Sequence, residues 1–218
     1  MRALNEYFPS KTRNLYEDIK IILDYLEDKS PDNPVFTKAK AMPMHNEKLV
    51  MPWMLGSTGQ AMGMAAEWGL PYSHAKFFAV ETPASLFSQY KNNFKASTFA
   101  DKPYISMSYK MLISDDKDEL EYLGKAFDYF HLQQARGASQ GLIDPEMVKD
   151  YEFTLNEQAL LKQSYDNRFI LKGSKKEIAD ILHDEASQFE LDEILAFTPI
   201  YGVDNRINTY KSLKEIFE

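Results

Sequence analysis

The 218-residue sequence predicts an α/β fold with a parallel sheet. Three observations lead to this prediction. Short apolar segments of strand length recur along the chain, segments with helical spacing alternate with them, and glycine, proline or a capping residue marks the junctions. A crossover helix is the usual way to return a strand to parallel register, so we expect one sheet with its helices outside it.

Periodicity and capping signals predict the individual helices and strands. Leu15, Ile19 and Ile22 lie on one face of a first helix, and Asn14 with Glu17 resembles a capping box. Apolar and polar residues alternate from 104 to 113, which is typical of a strand whose two faces differ in polarity. The predicted strands are 50–55, 72–78, 104–113 and 194–200, and the predicted helices are 15–28, 60–68, 83–94, 116–135, 159–164, 175–187 and 205–217.

Capping residues support several of these helix starts. Thr82 precedes Pro83, Asp115 or Asp116 precedes the long helix, and further capping boxes pair Thr154 with Glu157 and Ser174 with Glu177. The sequence therefore predicts one domain over 1–218, with an insertion at 137–172 before the last β-α unit. A (β/α)8 barrel takes eight strands and typically ~250 residues, so four strands form either an open sheet or part of a barrel.

Composition excludes several classes of protein. The formal net charge of −8 argues against a nucleic-acid partner, which requires clustered Lys and Arg. The absence of cysteine excludes disulfides and thiolate metal sites, and the four scattered histidines have no metal-ligand spacing, so we expect no metal. No apolar segment reaches the ~20 residues of a membrane span and no secretory signal is evident, so the expected location is cytoplasmic.

The turn Gly56, Ser57, Thr58, Gly59 and Gln60 links a predicted strand to a predicted helix. Backbone N–H groups and two hydroxyls at the positive end of a helix dipole suit a phosphate group. The alternative is that the glycines only allow a tight turn while Ser57 or Thr58 caps the helix. By spacing alone, this structural interpretation is favoured.

Three other residues are candidates for contact with a substrate or cofactor. Lys76 and Phe77 fall at the carboxyl end of the second predicted strand, where barrel active sites gather, and Arg136 follows the long helix. The alternative for Phe77 and Phe78 is the core, and Lys76 then reaches solvent along its apolar stem. His74 is interpreted as structural, and no catalytic side chain is identified.

The segment LVMPWMLGSTGQAMGMAAEWGLPYSHAKFF, a helix ending in YKNNFKAS, and the segments FILKGSKKEIADIL and LDEILAFTPI together resemble the bacterial-luciferase-like flavin-dependent monooxygenases. The resemblance extends from about residue 13 to the end of the chain. It implies a partial TIM barrel whose strands correspond to barrel strands 5–8, with Met1 as an internal or re-initiated start. It also implies that Ser57, Thr58 and the backbone of Gly59 and Gln60 contact the FMN phosphate, with Thr58 replacing the second serine common in the family.

Two hypotheses of function follow from the resemblance. In the first, the protein is an FMN-dependent oxidoreductase that uses reduced flavin from a separate reductase and dioxygen to oxygenate a small organic substrate. In the second, it is a non-catalytic half-barrel with weak or no FMN binding. Because a lone parallel sheet leaves unpaired edges, we expect a homodimer or a partner chain that supplies the missing strands. An unrelated sugar-phosphate-binding α/β domain is a third alternative.

Overall fold

The protein is described by a computed structural model that covers residues 15–29, 50–78, 83–138 and 141–218. Within these ranges, strands and helices follow one another as the sequence predicts. The strands are β1 (Met54–Gly56), β2 (Tyr72–Ala75), β3 (Ile105–Ile113), β4 (Ile170–Gly173) and β5 (Glu193–Phe197). The helices are α1 (Leu15–Leu26), α2 (Gly59–Trp68), α3 (Ala84–Asn93), α4 (Lys117–Ala135), α5 (Leu155–Asp166), α6 (Lys175–Phe189) and α7 (Val203–Phe217).

All five strands form one parallel sheet in which β3 is the central strand. β2 pairs with residues 105–108 of β3, β4 with residues 110–113, and β5 with residues 106–110. Because β2 and β5 pair with the same residues 106–108, they lie on opposite edges of β3. β1 continues the sheet beyond β2. The predicted α/β class with a parallel sheet is confirmed.

The number of strands differs from the prediction, since β4 was included in the insertion over 137–172. β4 has only four residues, carries Lys172 at its third position, and is followed at once by the Ser174 cap of α6. A strand this short shows no clear alternation. Its ladder with β3, from Lys110↔Ile170 to Ile113↔Gly173, is a long-range contact that sequence periodicity cannot reveal.

Several boundaries also differ from the prediction. β1 is shorter than 50–55, and β2 ends at Ala75 because Lys76–Phe78 turn into a 3-10 helix. β5 begins one residue earlier and ends before the buried Ile200. α5 extends well beyond the predicted 159–164, since the helix begins directly after its capping residue Thr154.

The predicted helix caps agree in part with those in the structure. Both capping boxes, Thr154 with Glu157 and Ser174 with Glu177, are confirmed, and Asp116 rather than Asp115 caps α4. Pro83 is the N-cap of α3 rather than its first residue. Asn14 and Thr82 lie outside the described residues.

The main core lies between the sheet and one layer of helices. Alternate residues of β3 point into it, and α1, α2, α3, α6 and α7 cover this side, which we call the helix face. The β3 members of this core are Ile105, Met107, Tyr109, Met111 and Ile113, each at most 2% exposed. Burial of these side chains contributes about 1.5–3 kcal/mol each, which makes the helix face the principal source of stability.

The opposite side of the sheet, which we call the inner face, carries the other residues of β3. α4 and α5 cover its carboxyl end, where Leu112 packs with Phe127 and Leu161. Residues paired directly across a ladder point to the same face, so Leu195 and Phe197 of β5 share this side with Ser108 and Lys110. Leu55 of β1 shares it through Ser73, its partner on β2.

The inner face is apolar and exposed at both margins of the sheet. Leu55 is 66% exposed, Leu195 40% and Phe197 38%. Among the described residues, β1 and β5 each pair with a single neighbouring strand. An open sheet with apolar side chains at its margins is the form expected for part of a barrel. None of the helices in the described ranges is long and apolar enough to cross a bilayer.

Gly69 ends α2 in a left-handed conformation, with φ of 63° and ψ of 45°. A Cβ at this position would overlap the Lys95 carbonyl oxygen and approach Ser97 Cβ to 2.7 Å, whereas a Cβ at Gly63 in the middle of α2 meets nothing. We predict that Gly69→Ala lowers the free energy of unfolding by at least about 2 kcal/mol. Gly63→Ala should instead raise it by up to about 1 kcal/mol. Urea unfolding of both variants tests this, and equal effects would contradict the assigned backbone geometry.

Candidate functional site

The candidate phosphate-binding turn lies where β1 ends at Gly56 and α2 begins at Gly59. Thr58 occupies the N-cap position with extended backbone angles, but its side chain makes no capping hydrogen bond. The Thr58 carbonyl oxygen accepts from the Met62 N–H at 3.4 Å, which starts the helical ladder. The interpretation of Thr58 as a simple helix cap is therefore not supported by the geometry.

Gly56 is required for the close packing of this turn. A Cβ on Gly56 would lie 2.5 Å from Ala61 Cβ and 3.4 Å from Tyr72 Oη. Any larger residue would push the strand end away from the first turn of α2. The glycine thus fixes the position of Ser57 and Thr58 against the helix that follows.

The groups presented by the turn fit an anion. The first N–H groups of a helix have no partner within it, and those of Gly59 and Gln60 lie here beside the hydroxyls of Ser57 and Thr58. No acidic residue occupies the first turn of α2, and no hydrogen bond within the described residues uses either hydroxyl. Donors without a competing carboxylate at the positive end of a helix are what a phosphate group requires.

Lys76 and Phe77 lie at the carboxyl end of β2 but point to opposite faces of the sheet. Lys76 is buried on the helix face, where Nζ donates to Glu185 Oε2 of α6. Phe77 lies on the other side, with its ring centroid 5.7 Å from that of Phe197. The two residues therefore do not line one common pocket.

Arg136 is the C-cap of α4, and it reaches the start of the next helix. Its Nη2 atom lies 2.8 Å from Glu157 Oε1. The backbone of Thr154, with further help from Tyr151 and Arg136, lowers the pKa of Glu157 to about 2. This contact ties α4 to α5, which is a structural role.

The structure does not bring all the sequence-predicted residues together. No hydrogen bond, ion pair or ring contact among the described residues joins the turn at 56–60 to Lys76, Phe77 or Arg136. His74, interpreted as structural, is buried beside Tyr72 and Phe87. Within the described ranges, no group of three or more His, Cys, Asp or Glu side chains is arranged to hold a metal ion.

Sequence reasoning missed a buried polar cluster at the carboxyl end of the inner face. Lys110 is fully buried, and its Nζ donates to Gln134 Oε1 at 2.5 Å and lies 3.1 Å from His131 Nδ1. His131 Nε2 lies 2.9 Å from Ser164 Oγ, and that hydroxyl donates to the Leu160 carbonyl oxygen. The side chains thus form a continuous hydrogen-bonded chain from β3 through α4 to α5.

Lys110 is held against aromatic rings rather than against a carboxylate. Its Nζ lies 5.8 Å from the ring centroid of Phe77 and 5.7 Å from that of Phe130. No ion pair joins Lys110 to an acidic residue within the described ranges. Burial lowers the pKa of Lys110 to about 8, and burial together with the positive charge of Lys110 lowers the pKa of His131 to about 4. His131 is therefore neutral at pH 7 and accepts a hydrogen bond from the Lys110 ammonium through Nδ1.

The sequence contains one signal that points to this cluster. Lys110 occupies the more polar side of the alternation in 104–113, but nothing in that pattern locates α4 and α5 above it. Whether a helix that is distant in the sequence packs over a strand is decided by tertiary structure. The only indication of the cluster in the sequence was a lysine between apolar residues of this strand.

In TIM-barrel enzymes the active sites lie at the carboxyl ends of the parallel strands, and the turn at 56–60 follows the carboxyl end of β1. No protein-family model matches the chain. The chain is 28% identical to the uncharacterised protein YwcH of Bacillus subtilis, over 99% of this chain and 64% of that protein. It is 23% identical to the luciferase-like monooxygenase of Escherichia coli, over 100% of this chain and 63% of that protein.

A similar fold is found in the crystal structure of apo-MsnO8. The TM-score is 0.79 with 19% sequence identity, over 99% of this chain and 63% of that one. The chain thus spans slightly less than two thirds of the length of the proteins that it matches. The chain is thus similar in sequence to a luciferase-like monooxygenase and similar in fold to apo-MsnO8, and the resemblance stated from the sequence is confirmed.

The buried His131 predicts a specific pH dependence of stability. Its folded pKa of about 4 lies below its ordinary value of 6.5, so the unfolded chain binds more protons between these values. Lowering the pH from 7 to 5 should therefore lower the free energy of unfolding, with about 2 kcal/mol of the loss due to His131. This contribution is absent above about pH 6.5.

His131→Asn should remove the part of the loss in unfolding free energy that is due to His131, as measured by urea unfolding at pH 7 and pH 5. The matched control is His183→Asn on α6, whose side chain is exposed. His74 is buried in all of these proteins, so its own effect cancels in the comparison. The same pH slope for both variants and the parent protein would rule out the proposed environment of His131.

Proposed function

We propose that the protein binds FMN and acts in flavin-dependent oxygenation of a small organic substrate. The observation that carries the proposal is the uncapped turn of Gly56, Ser57, Thr58, Gly59 and Gln60, whose donors fit the FMN phosphate. The similarity to a luciferase-like monooxygenase supports a flavin-type cofactor. When bound, the reduced flavin supplies the electrons for the activation of dioxygen, and the protein supplies position and exclusion of water.

The residues of this chain would divide these tasks between them. The turn holds the phosphate through backbone N–H groups and the hydroxyls of Ser57 and Thr58. Phe77 and Phe197 provide an apolar surface at the carboxyl end of the inner face, from which water is excluded. Lys110 places a buried positive charge behind Phe77. The reductant would come from a separate flavin reductase, and a cytoplasmic location stays a prediction.

We further propose that the inner face is completed by another polypeptide or by a second copy of this chain. Leu55, Leu195 and Phe197 are large apolar side chains at the open margins of the sheet. Parallel sheets are normally buried on both faces, so these margins favour association. In this proposal β1, β2, β3 and β5, the four strands predicted from the sequence, correspond to barrel strands 5–8, and the partner supplies the remaining strands.

The alternative is a non-catalytic half-barrel. The observation in its favour is that the chain spans only 63–64% of the length of YwcH and of the Escherichia coli luciferase-like monooxygenase. In this case the turn binds FMN weakly or not at all. The two functions are distinguished by the binding experiment that follows.

Thr58→Asp should weaken FMN binding without destabilising the fold. Aspartate is a good N-cap and its charge is favourable at a helix N-terminus, but it repels a phosphate dianion. We predict that the dissociation constant for FMN, measured by flavin fluorescence, increases about tenfold or more in Thr58→Asp. Thr58→Asn, which also caps but carries no charge, should lose much less affinity than Thr58→Asp, because its side-chain amide can still donate to the phosphate.

Riboflavin provides the matched ligand control, because it lacks the phosphate. Its weaker binding should be insensitive to Thr58→Asp. A parent protein that fails to bind FMN at about 100 μM would exclude the oxidoreductase proposal and leave the non-catalytic half-barrel. Equal FMN affinity of the Asp and Asn variants would place the phosphate elsewhere.

Association through the inner face is tested by sedimentation velocity. The parent protein should sediment as a dimer or larger species, or as a complex when co-purified with its partner. Leu195→Lys, which adds a charge to the inner face, should shift the population toward monomer. Leu160→Lys on α5, which is 49% exposed compared with 40% for Leu195, is the control and should sediment unchanged. A parent protein that is monomeric at all concentrations and co-purifies with no other polypeptide refutes the proposal.

A further inference from the structure

A cavity of about 360 Å³ lies on the helix face, away from the turn at 56–60. It is bounded by the start of α3, the second half of α6 and the turn between α5 and β4. Its deepest wall consists of His74, Phe87, Met107 and Phe189, each at most 7% exposed. This volume is within the range of sites that bind small organic molecules.

The deep wall has the shape and polarity of a site for a flat apolar ring. The ring centroids of Phe87 and Phe189 lie 4.9 Å apart. The rings of His74 and Phe87 meet edge to face at 5.2 Å. Aromatic side chains and a thioether make favourable contacts with another aromatic ring. The rings prefer edge-to-face or offset stacked arrangements.

Charged residues also line the cavity, but their charges are balanced within the protein. Glu185 Oε1 lies 3.1 Å from Arg168 Nη1, while its other oxygen accepts from Lys76 and from the Tyr109 hydroxyl. Arg168 Nη1 also lies 2.6 Å from Asp184 Oδ2. Two cations thus face two carboxylates, and the third carboxylate of the lining, Asp166, is paired with Lys162 outside it. A ligand that carried a net charge would find no free counter-charge.

One residue at the rim of the cavity has a backbone conformation that is unfavourable for its type. Arg168 has a φ of 58°, a left-handed backbone that is uncommon for residues other than glycine. Its backbone N–H donates to the Tyr165 carbonyl oxygen at 2.9 Å, and its side chain makes the ion pairs with α6. Such strain persists only where surrounding contacts impose it, and it is concentrated at functional sites.

His74 supplies one polar atom that the protein itself does not use. Its Nδ1 lies 3.1 Å from Tyr72 Oη. The other ring nitrogen, Nε2, makes no hydrogen bond within the described residues, although the side chain is only 1% exposed. A neutral imidazole nitrogen is a donor or an acceptor according to the tautomer, and a hydroxyl group satisfies either case. Within the described residues, the buried polar side-chain atoms without a partner are Ser106 Oγ and Thr198 Oγ1, so Nε2 is open to the cavity, where a ligand hydroxyl would hydrogen-bond to it.

We propose that this cavity binds a small uncharged aromatic molecule with a hydroxyl group, of the phenol class. The ring lies against Phe87, Met107 and Phe189, and the hydroxyl hydrogen-bonds to His74 Nε2. None of the lining residues belongs to the turn at 56–60, so the inference does not depend on FMN binding.

The test uses phenol as the probe and titration calorimetry at pH 7 as the measurement. The parent protein should bind phenol in the millimolar range or tighter. His74→Phe keeps an aromatic ring, although a larger one, and removes both ring nitrogens, and it should weaken phenol binding about tenfold. His183→Phe, the same change at an exposed site on α6, should bind phenol like the parent protein.

Toluene and a cavity-filling variant separate the hydroxyl contact from the apolar contact. Toluene should bind the parent protein and His74→Phe with similar affinity. Ala84→Leu, on the opposite wall at the start of α3, should weaken the binding of both probes, which also covers the case in which His74→Phe does not fold. Absence of phenol binding at about 10 mM, or equal phenol affinity of Ala84→Leu and the parent protein, would overturn the proposal.

Discussion

The structure depends on the pairing of β3 along both of its edges. This nine-residue strand holds β2 and β5 on opposite edges and extends beyond β2 to pair with β4. Its two faces differ, since one set of alternate residues is apolar and the other includes Ser106, Ser108 and Lys110. The helix layer packs on the first set, and α4 and α5 cover the carboxyl end of the second. A shift of the β3 register by one residue would exchange these faces and bury the polar set of side chains in the main core.

The carboxyl edge of the sheet is where the groups capable of chemistry lie, but they are divided between its faces. The turn at 56–60 opens at the end of β1. Lys76 and His74 lie on the helix face, among buried ion pairs and rings, while Phe77 and Lys110 lie on the inner face. Two adjacent residues, Lys76 and Phe77, therefore belong to different environments. The inner face is the one left open at the margins of the sheet, and it is the one that a barrel would enclose.

Much of the fold could be predicted from local patterns, because its elements are delimited by strong signals. The boxes at Thr154 and Ser174, the cap at Asp116 and the left-handed Gly69 all act within a few residues of sequence. β4 was missed because its only structural signal is a ladder with a strand 60 residues earlier (Lys110↔Ile170). Of the candidate site, the turn geometry could be predicted from its glycines and hydroxyls. The burial of Lys110 under α4 and the pairing of Lys76 with Glu185 could not, since both depend on tertiary packing of distant helices.

The central claim is that the uncapped start of α2 is the contact point for the phosphate of a flavin. Hydrogen–deuterium exchange with mass spectrometry tests it most directly, because the N–H groups of Gly59 and Gln60 have no partner in the helix and should exchange rapidly in the free protein. Addition of FMN should slow exchange in peptides that cover 57–62, and riboflavin should leave them unchanged. Slower exchange confined to other segments, or equal protection by both flavins, would contradict the account.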